Sequence, residues 1–355
     1  MQITLSDIDY MLLTLLVALL TLSSFKKRKI PLPFSFSLDR GLATMIKGVS
    51  CILILMSHHF TLNFVNHAPW TYPMIVGNYA ANIALALFMF LSGYGVTMSY
   101  NKKQVAFGIY LKARVWKVYK PLLWVCIACT LIYFLLPSKS IEELTTLKLP
   151  LDIYYLHHFD VMQSWNILLH TLGCFDWFVY CISFFYIIFW LSAYVARKLR
   201  MEHTYILLAF MVLYSMIAIP LFGESHAHYY WLPWAFWLGN FVCSKEINKK
   251  YAIFLLGLLV LTWIPQGVIM MRSYMFAICC IVITFILNRY YVIKSEGTGS
   301  LMLLLGTVSY FYYLIHIRLT WTLLKYICLE SVTIWAIINF VVAYWAYKLF
   351  FWAKK

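Results

Sequence analysis

Hydrophobic positions in this chain come in long runs broken by short polar or basic clusters, without the two-residue alternation of half-buried strands. The runs fall at about 8–25, 44–64, 79–99, 121–137, 177–196, 204–222, 230–244, 251–264, 273–292, 299–321 and 329–351. A membrane-crossing helix needs about 20 mostly apolar residues, and it satisfies its own backbone hydrogen bonds in lipid. The pattern therefore predicts an all-α integral membrane protein with about eleven transmembrane helices. Runs 230–244 and 251–264 are short and call for tilt or local thinning of the bilayer. The longest stretch between runs, about 138–175, is too short for a separate folded domain, and no internal repeat is visible.

Composition agrees: 63% of residues are hydrophobic, 12% are charged, and mean hydropathy is +0.79. The net charge of +15 alone would suggest a nucleic-acid partner. Its distribution argues against one, because the cations sit in clusters at the ends of apolar runs, as topology signals do. With the amino terminus outside, all but Lys139, Lys148, Arg272, Arg318 and Lys325 of the 28 Lys and Arg residues face the cytosol. The inverse orientation would reverse that bias, so the carboxyl terminus is expected in the cytosol and the protein in the plasma (inner) membrane. The first run is not read as a signal peptide, because its amino-terminal flank carries Asp7 and Asp9 rather than cations and Lys26-Lys27-Arg28-Lys29 follows it. Residues 1–39 are thus expected to form a leading transmembrane helix and a basic cytosolic linker, ahead of a membrane domain over 40–355. The nine cysteines lie mostly within apolar runs, lack zinc-ligand spacing and read as small buried hydrophobes.

Against this apolar background, Lys47 and His58 stand out in the second run. They are eleven residues apart, almost three helical turns, so they share a helix face about 16 Å apart along the axis. Ionisable groups cost about 2.5–3.5 kcal/mol each at a bilayer centre on insertion scales, which points to a task such as proton chemistry. The plainer alternative is a histidine bonded to a neighbouring helix and a snorkelling lysine. His59 lies about 100° around the helix from His58 and is not expected to share its site.

The third run carries Leu91-Ser92-Gly93-Tyr94-Gly95, where small residues allow close helix approach. The cluster from Tyr110 to Pro121 places Arg114 and Lys117 three residues apart, either as a lipid-facing basic stripe or as a phosphate site. Pro121 is expected to mark where a surface helix turns into the membrane. Asp176 and Trp177 open a later run, and Tyr310, Tyr313 and His316 lie in the tenth. External His157-His158 and His226-x-His228, with Asp160 and Glu224, read as solvated loop residues, so no metal is expected.

In this order the segments resemble the acyltransferase 3 family of integral membrane acyltransferases, over roughly residues 40–350. The resemblance rests on a basic residue, ten intervening residues and histidine (Lys47 to His58), on Ser92-Gly93, on the basic run ending in Pro121, and on Ser309-Tyr310…Tyr313-Leu-Ile-His316. The family often has Arg at Lys47, and Arg-x-x-Arg where this chain has Arg114-Val-Trp-Lys117. Both departures keep the charge but lose the bidentate fork. Many relatives also carry an acidic residue where Ala86 stands, which leaves no carboxylate assigned to His58.

The resemblance implies a ten-helix core behind the leading helix, and transfer of an acyl group, most often acetyl, from cytosolic acyl-CoA. The acceptor would be a hydroxyl of a cell-envelope or exported saccharide, and acyl-CoA would be a co-substrate with no permanently bound cofactor. In this reading His58 is the general base and Ser92 either assists the oxyanion or simply packs. Lys47, Arg114 and Lys117 hold the donor, while Asp176, Trp177, Tyr310, Tyr313 and His316 face the acceptor. The rival from another class is a proton-coupled transporter or flippase of a saccharide or lipid-linked solute, with His58 as proton relay. It lacks the sequence repeat and the paired intramembrane carboxylates that such proteins often carry.

Overall fold

In the computed structural model, which describes residues 5–32, 38–64, 72–134, 177–222, 228–244, 269–327 and 331–352, the apolar runs are helical. The helices are α1 (Leu5–Ser23), α2 (Arg40–Phe64), α3 (Tyr72–Lys102), α4 (Phe107–Leu111) and α5 (Lys117–Phe134). They continue with α6 (Trp177–Leu199), α7 (His203–Phe222), α8 (His228–Ser244), α9 (Ile269–Tyr290), α10 (Thr298–Ile327) and α11 (Val332–Trp352). Each predicted run coincides with one of these helices except 251–264, which lies outside the described residues. Five of the helices are long and apolar enough to cross a membrane over their described residues. The outward faces of α1 and α11 carry Leu12, Leu15, Leu19, Ile337, Val341 and Trp345, as a lipid-facing surface would. The chain is a multi-pass membrane protein.

One element was not predicted. Phe25–Lys27 (β1) pairs antiparallel with Tyr291–Ile293 (β2), with Lys26 opposite Val292. Three residues are too few for a period-two signal, and the pairing joins segments far apart in sequence. It brings the ends of α1 and α9 to one face, where Lys294 Nζ donates to the Ser23 carbonyl at 2.7 Å. The start of α2 belongs to that face too. Asp39 caps α2 by accepting from the Gly41 and Leu42 amides (2.8 and 3.2 Å), a contact typically worth about 1 kcal/mol. The Leu38 amide donates to the Tyr94 hydroxyl at 2.8 Å, which ties in α3. The ends of α1 and α9 and the start of α2 thus lie together on one basic face.

The basic segment differs from expectation at Pro121. The backbone runs without a break from Phe107 to Phe134, through a π turn at Lys112–Trp116 and past Pro121 inside α5. The irregularity falls one turn before the proline, where i→i+5 bonding accommodates an extra residue.

Candidate active site

Two helices build the site, and glycines set their separation. A Cβ at Gly306 of α10 would overlap the Thr44 carbonyl of α2, and one at Gly48 would crowd the Gly306 amide. Backbones this close need glycine on both sides. From that contact the helices run parallel in a fixed register. Cys51 Sγ donates to the Ser309 carbonyl at 3.0 Å, and His58 Nδ1 lies 2.7 Å from His316 Nε2, each pair separated by 258 positions. His58 sits three turns along α2 from Lys47 and fewer than two turns from the far end of the helix.

The two imidazoles meet edge to edge. Their planes differ by 3°. A face-to-face stack would hold the rings about 3.5 Å apart, so a 2.7 Å nitrogen–nitrogen distance places them in nearly one plane. The partners also assign the protons. His316 Nδ1 contacts the Tyr313 carbonyl, which can only accept, so Nδ1 carries hydrogen. If His316 is neutral, its Nε2 accepts from His58 Nδ1, and the lone pair of a neutral His58 is then on Nε2. His58 is half-buried and His316 fully buried.

His59 faces elsewhere. It is fully buried, and its Nδ1 is 2.9 Å from the Tyr10 hydroxyl of α1, which also donates to the Met56 carbonyl at 3.2 Å.

At the basic end of α2, Lys47 has Lys117, Arg40 and Arg114 as electrostatic neighbours. Arg114 lies within the π turn and is half-buried, whereas Lys117 is exposed. Arg114 also acts on Tyr110 and Tyr186. Burial, chiefly, raises the Tyr110 phenol and Arg114 opposes it, so Tyr110 is a neutral donor to the Tyr186 carbonyl at 2.9 Å. Ser92 is half-buried beside the Tyr186 phenol. A Cβ on neighbouring Gly93 would overlap the Phe236 carbonyl of α8, so this segment serves close packing of α3 on α8.

Tyr310 donates to the Val118 carbonyl at 2.7 Å and braces α10 on α5. It lies six residues, about 9 Å along the helix, nearer the basic face than His316. Tyr313 packs its ring against Phe178 and His316 (5.4 Å each). Asp176, His157, His158 and His226 lie outside the described residues, as do the side chains of Trp177 and His228. Among the described residues no group of three or more His, Cys, Asp or Glu side chains could hold a metal ion.

A family profile described as an acyltransferase domain, of the acyltransferase 3 type, matches residues 43–352. The chain belongs to the acyltransferase 3 family. It is therefore a membrane acyltransferase. No curated protein and no solved structure matches it. The acyltransferase 3 match begins inside α2, so the His58–His316 pair and the Lys47–Arg114–Lys117 cluster fall within it, while α1 and β1 precede it. Sequence reasoning had placed His316 only on the acceptor side and missed its pairing with His58. The signal was present: Gly48 and His58, like Gly306 and His316, are ten residues apart, and two helices aligned at their glycines align their histidines.

Proposed function

We propose that the protein moves an acyl group, acetyl in the simplest case, from cytosolic acyl-CoA to a hydroxyl of a cell-envelope or exported saccharide. The observation that carries this reading is the layout of α2: a cation cluster at the basic face and a polarised histidine about 16 Å deeper on the same helix. The basic face is taken as cytosolic, as its charge excess requires in the plasma membrane. Lys47, Arg114 and Lys117 neutralise the donor's phosphates there, Arg114 offering the planar fork that phosphates favour. The thioester arm then extends along α2 towards His58.

The acceptor hydroxyl approaches from the opposite face. His58 Nε2 removes its proton while the oxygen attacks the thioester carbonyl. Collapse of the tetrahedral intermediate breaks the carbon–sulfur bond. The CoA thiolate leaves and takes the proton from His58, and the acceptor keeps the acyl group as an ester. His316 accepts from His58 Nδ1 throughout and stabilises the imidazolium that forms, the part a carboxylate plays elsewhere. Ser92 serves packing.

Purified protein supplied with acetyl-CoA and a saccharide acceptor tests this reading. We expect free CoA thiol to appear only with both substrates, and not with His58→Ala. Acceptor transport without CoA release would refute it.

A further inference from the structure

Arg114 and Lys117 sit on a stretch of helix that is interrupted twice. Arg114 lies in the π turn, and Pro121, one turn into α5, has no amide hydrogen to close an α-helical bond on the Lys117 carbonyl. Membrane proteins tolerate such breaks where neighbouring helices supply hydrogen bonds. Here neighbours hold both ends of the stretch. At its start, Trp190 Nε1 of α6 donates to the Val105 carbonyl at 3.4 Å, and the Tyr110 hydroxyl donates to the Tyr186 carbonyl of α6 at 2.9 Å. At its end, the Tyr310 hydroxyl of α10 donates to the Val118 carbonyl at 2.7 Å.

The second hold bears on the cation cluster. Tyr310 follows Gly306 by about one helical turn, and Gly306 packs against Thr44 and Gly48 of α2. One turn of α10 therefore touches α2 beside Lys47 and α5 beside Lys117. These cations repel one another, and Lys117 is foremost among the charges that act on Lys47. Without a tie between the elements that carry them, repulsion drives Lys117 and Arg114 away from α2. A bound polyanion would offset that repulsion, but before binding the geometry depends on the contacts of α10.

We propose that Tyr310 is a positioning residue for the acyl donor: its bond to the Val118 carbonyl keeps Arg114 and Lys117 within reach of the phosphates that Lys47 also meets. The inference rests on the acyl-transfer reading above, and deepens it by tying donor affinity to the helix that carries His316. A donor that binds only the tied arrangement loses apparent affinity in proportion to the fraction of molecules that adopt it. Loss of one net hydrogen bond should therefore weaken donor binding by up to about 10-fold.

Equilibrium binding of labelled CoA to the purified full-length protein tests this, alongside kcat and KM for acetyl-CoA. Tyr310→Phe keeps the ring and should weaken CoA binding about 3–10-fold, raise KM to match and leave kcat nearly unchanged. Tyr312→Phe removes a buried hydroxyl of the same helix, one that donates to the Ala336 carbonyl of α11 at 3.4 Å, and should leave CoA binding unchanged. It reports what a general loosening of α10 does. Pro121→Ala restores an amide that can close on the Lys117 carbonyl, so in that background Tyr310→Phe should cost less binding than it does alone. Three results would overturn the proposal. Unchanged CoA binding by Tyr310→Phe, where Arg114→Gln weakens it, denies Tyr310 any part in donor affinity. Equal weakening by Tyr310→Phe and Tyr312→Phe makes the effect one of general stability. An undiminished loss in the Pro121→Ala background makes the hydroxyl a direct donor contact. No CoA binding by the wild type would instead sink the donor reading itself, and the proposal with it.

Discussion

Replacing His316 tests the proton arrangement at the centre of the site. His316→Leu removes the acceptor 2.7 Å from His58 Nδ1 and keeps apolar bulk where the ring is fully buried. Without that acceptor, His58 loses the contact that holds its proton on Nδ1, a loss of about 1–3 kcal/mol for a buried donor. At about 1.4 kcal/mol per tenfold, the population with its lone pair on Nε2, and with it kcat/KM, should fall by roughly 10–100-fold. His316→Gln offers a carbonyl oxygen near the position of Nε2 and should keep kcat/KM within about tenfold of the wild type, because the hydrogen bond survives. His58→Ala should cost more, roughly 10²–10⁴-fold, because the base itself is gone. Initial rates of CoA release at saturating acceptor, with purified variants matched for folded protein, provide the assay. Two results would refute the reasoning: Leu and Gln variants equally active, or both equally dead while His58→Ala is also dead. The first denies His316 a positioning role, and the second makes its ring indispensable for something other than acceptance from His58.

The remaining predictions concern the surroundings of the pair. Arg114→Gln and Lys117→Gln should raise the apparent KM for acetyl-CoA and flatten its salt dependence, since fewer screened charge pairs remain; an unchanged KM with poor insertion would assign both residues to lipid anchoring. Tyr10→Phe removes a hydroxyl bonded to His59 and to the Met56 carbonyl, and should lower stability by about 0.5–1.5 kcal/mol in thermal unfolding with kcat nearly unchanged. Gly306→Ala drives a methyl group into the Thr44 carbonyl and should cost about 1–3 kcal/mol together with activity, whereas Gly95→Ala, with open space around it, should be tolerated in both assays.

The helices were legible because lipid imposes one solution on long apolar runs, and the basic clusters gave their alternation. Lys47, Arg114 and Lys117 were legible as charges, and their convergence was suggested by topology and the family resemblance. The His58–His316 contact was harder to see, because it depends on helix register. That register is set by the Gly48–Gly306 approach, an interhelical contact that no periodicity within one helix reveals. The π turn at Lys112–Trp116 escaped because a proline nearby carries a strong local signal while an inserted helical residue carries none. The β1–β2 pair escaped because its strands are three residues long and 266 positions apart. Tyr10 looked like one more residue of a leading helix, yet its hydroxyl ties that helix to His59 in the core.

The central claim is transfer from a donor on the basic, cytosolic face through His58 to an acceptor on the other side. Its most direct test uses sealed proteoliposomes of known orientation, with acetyl-labelled CoA supplied on one side and a saccharide acceptor on the other. Labelled ester should form on the saccharide only when acetyl-CoA meets the basic face, and His58→Ala should abolish it. Labelling with the donor on the opposite face, or undiminished labelling by the His58 variant, would contradict the account.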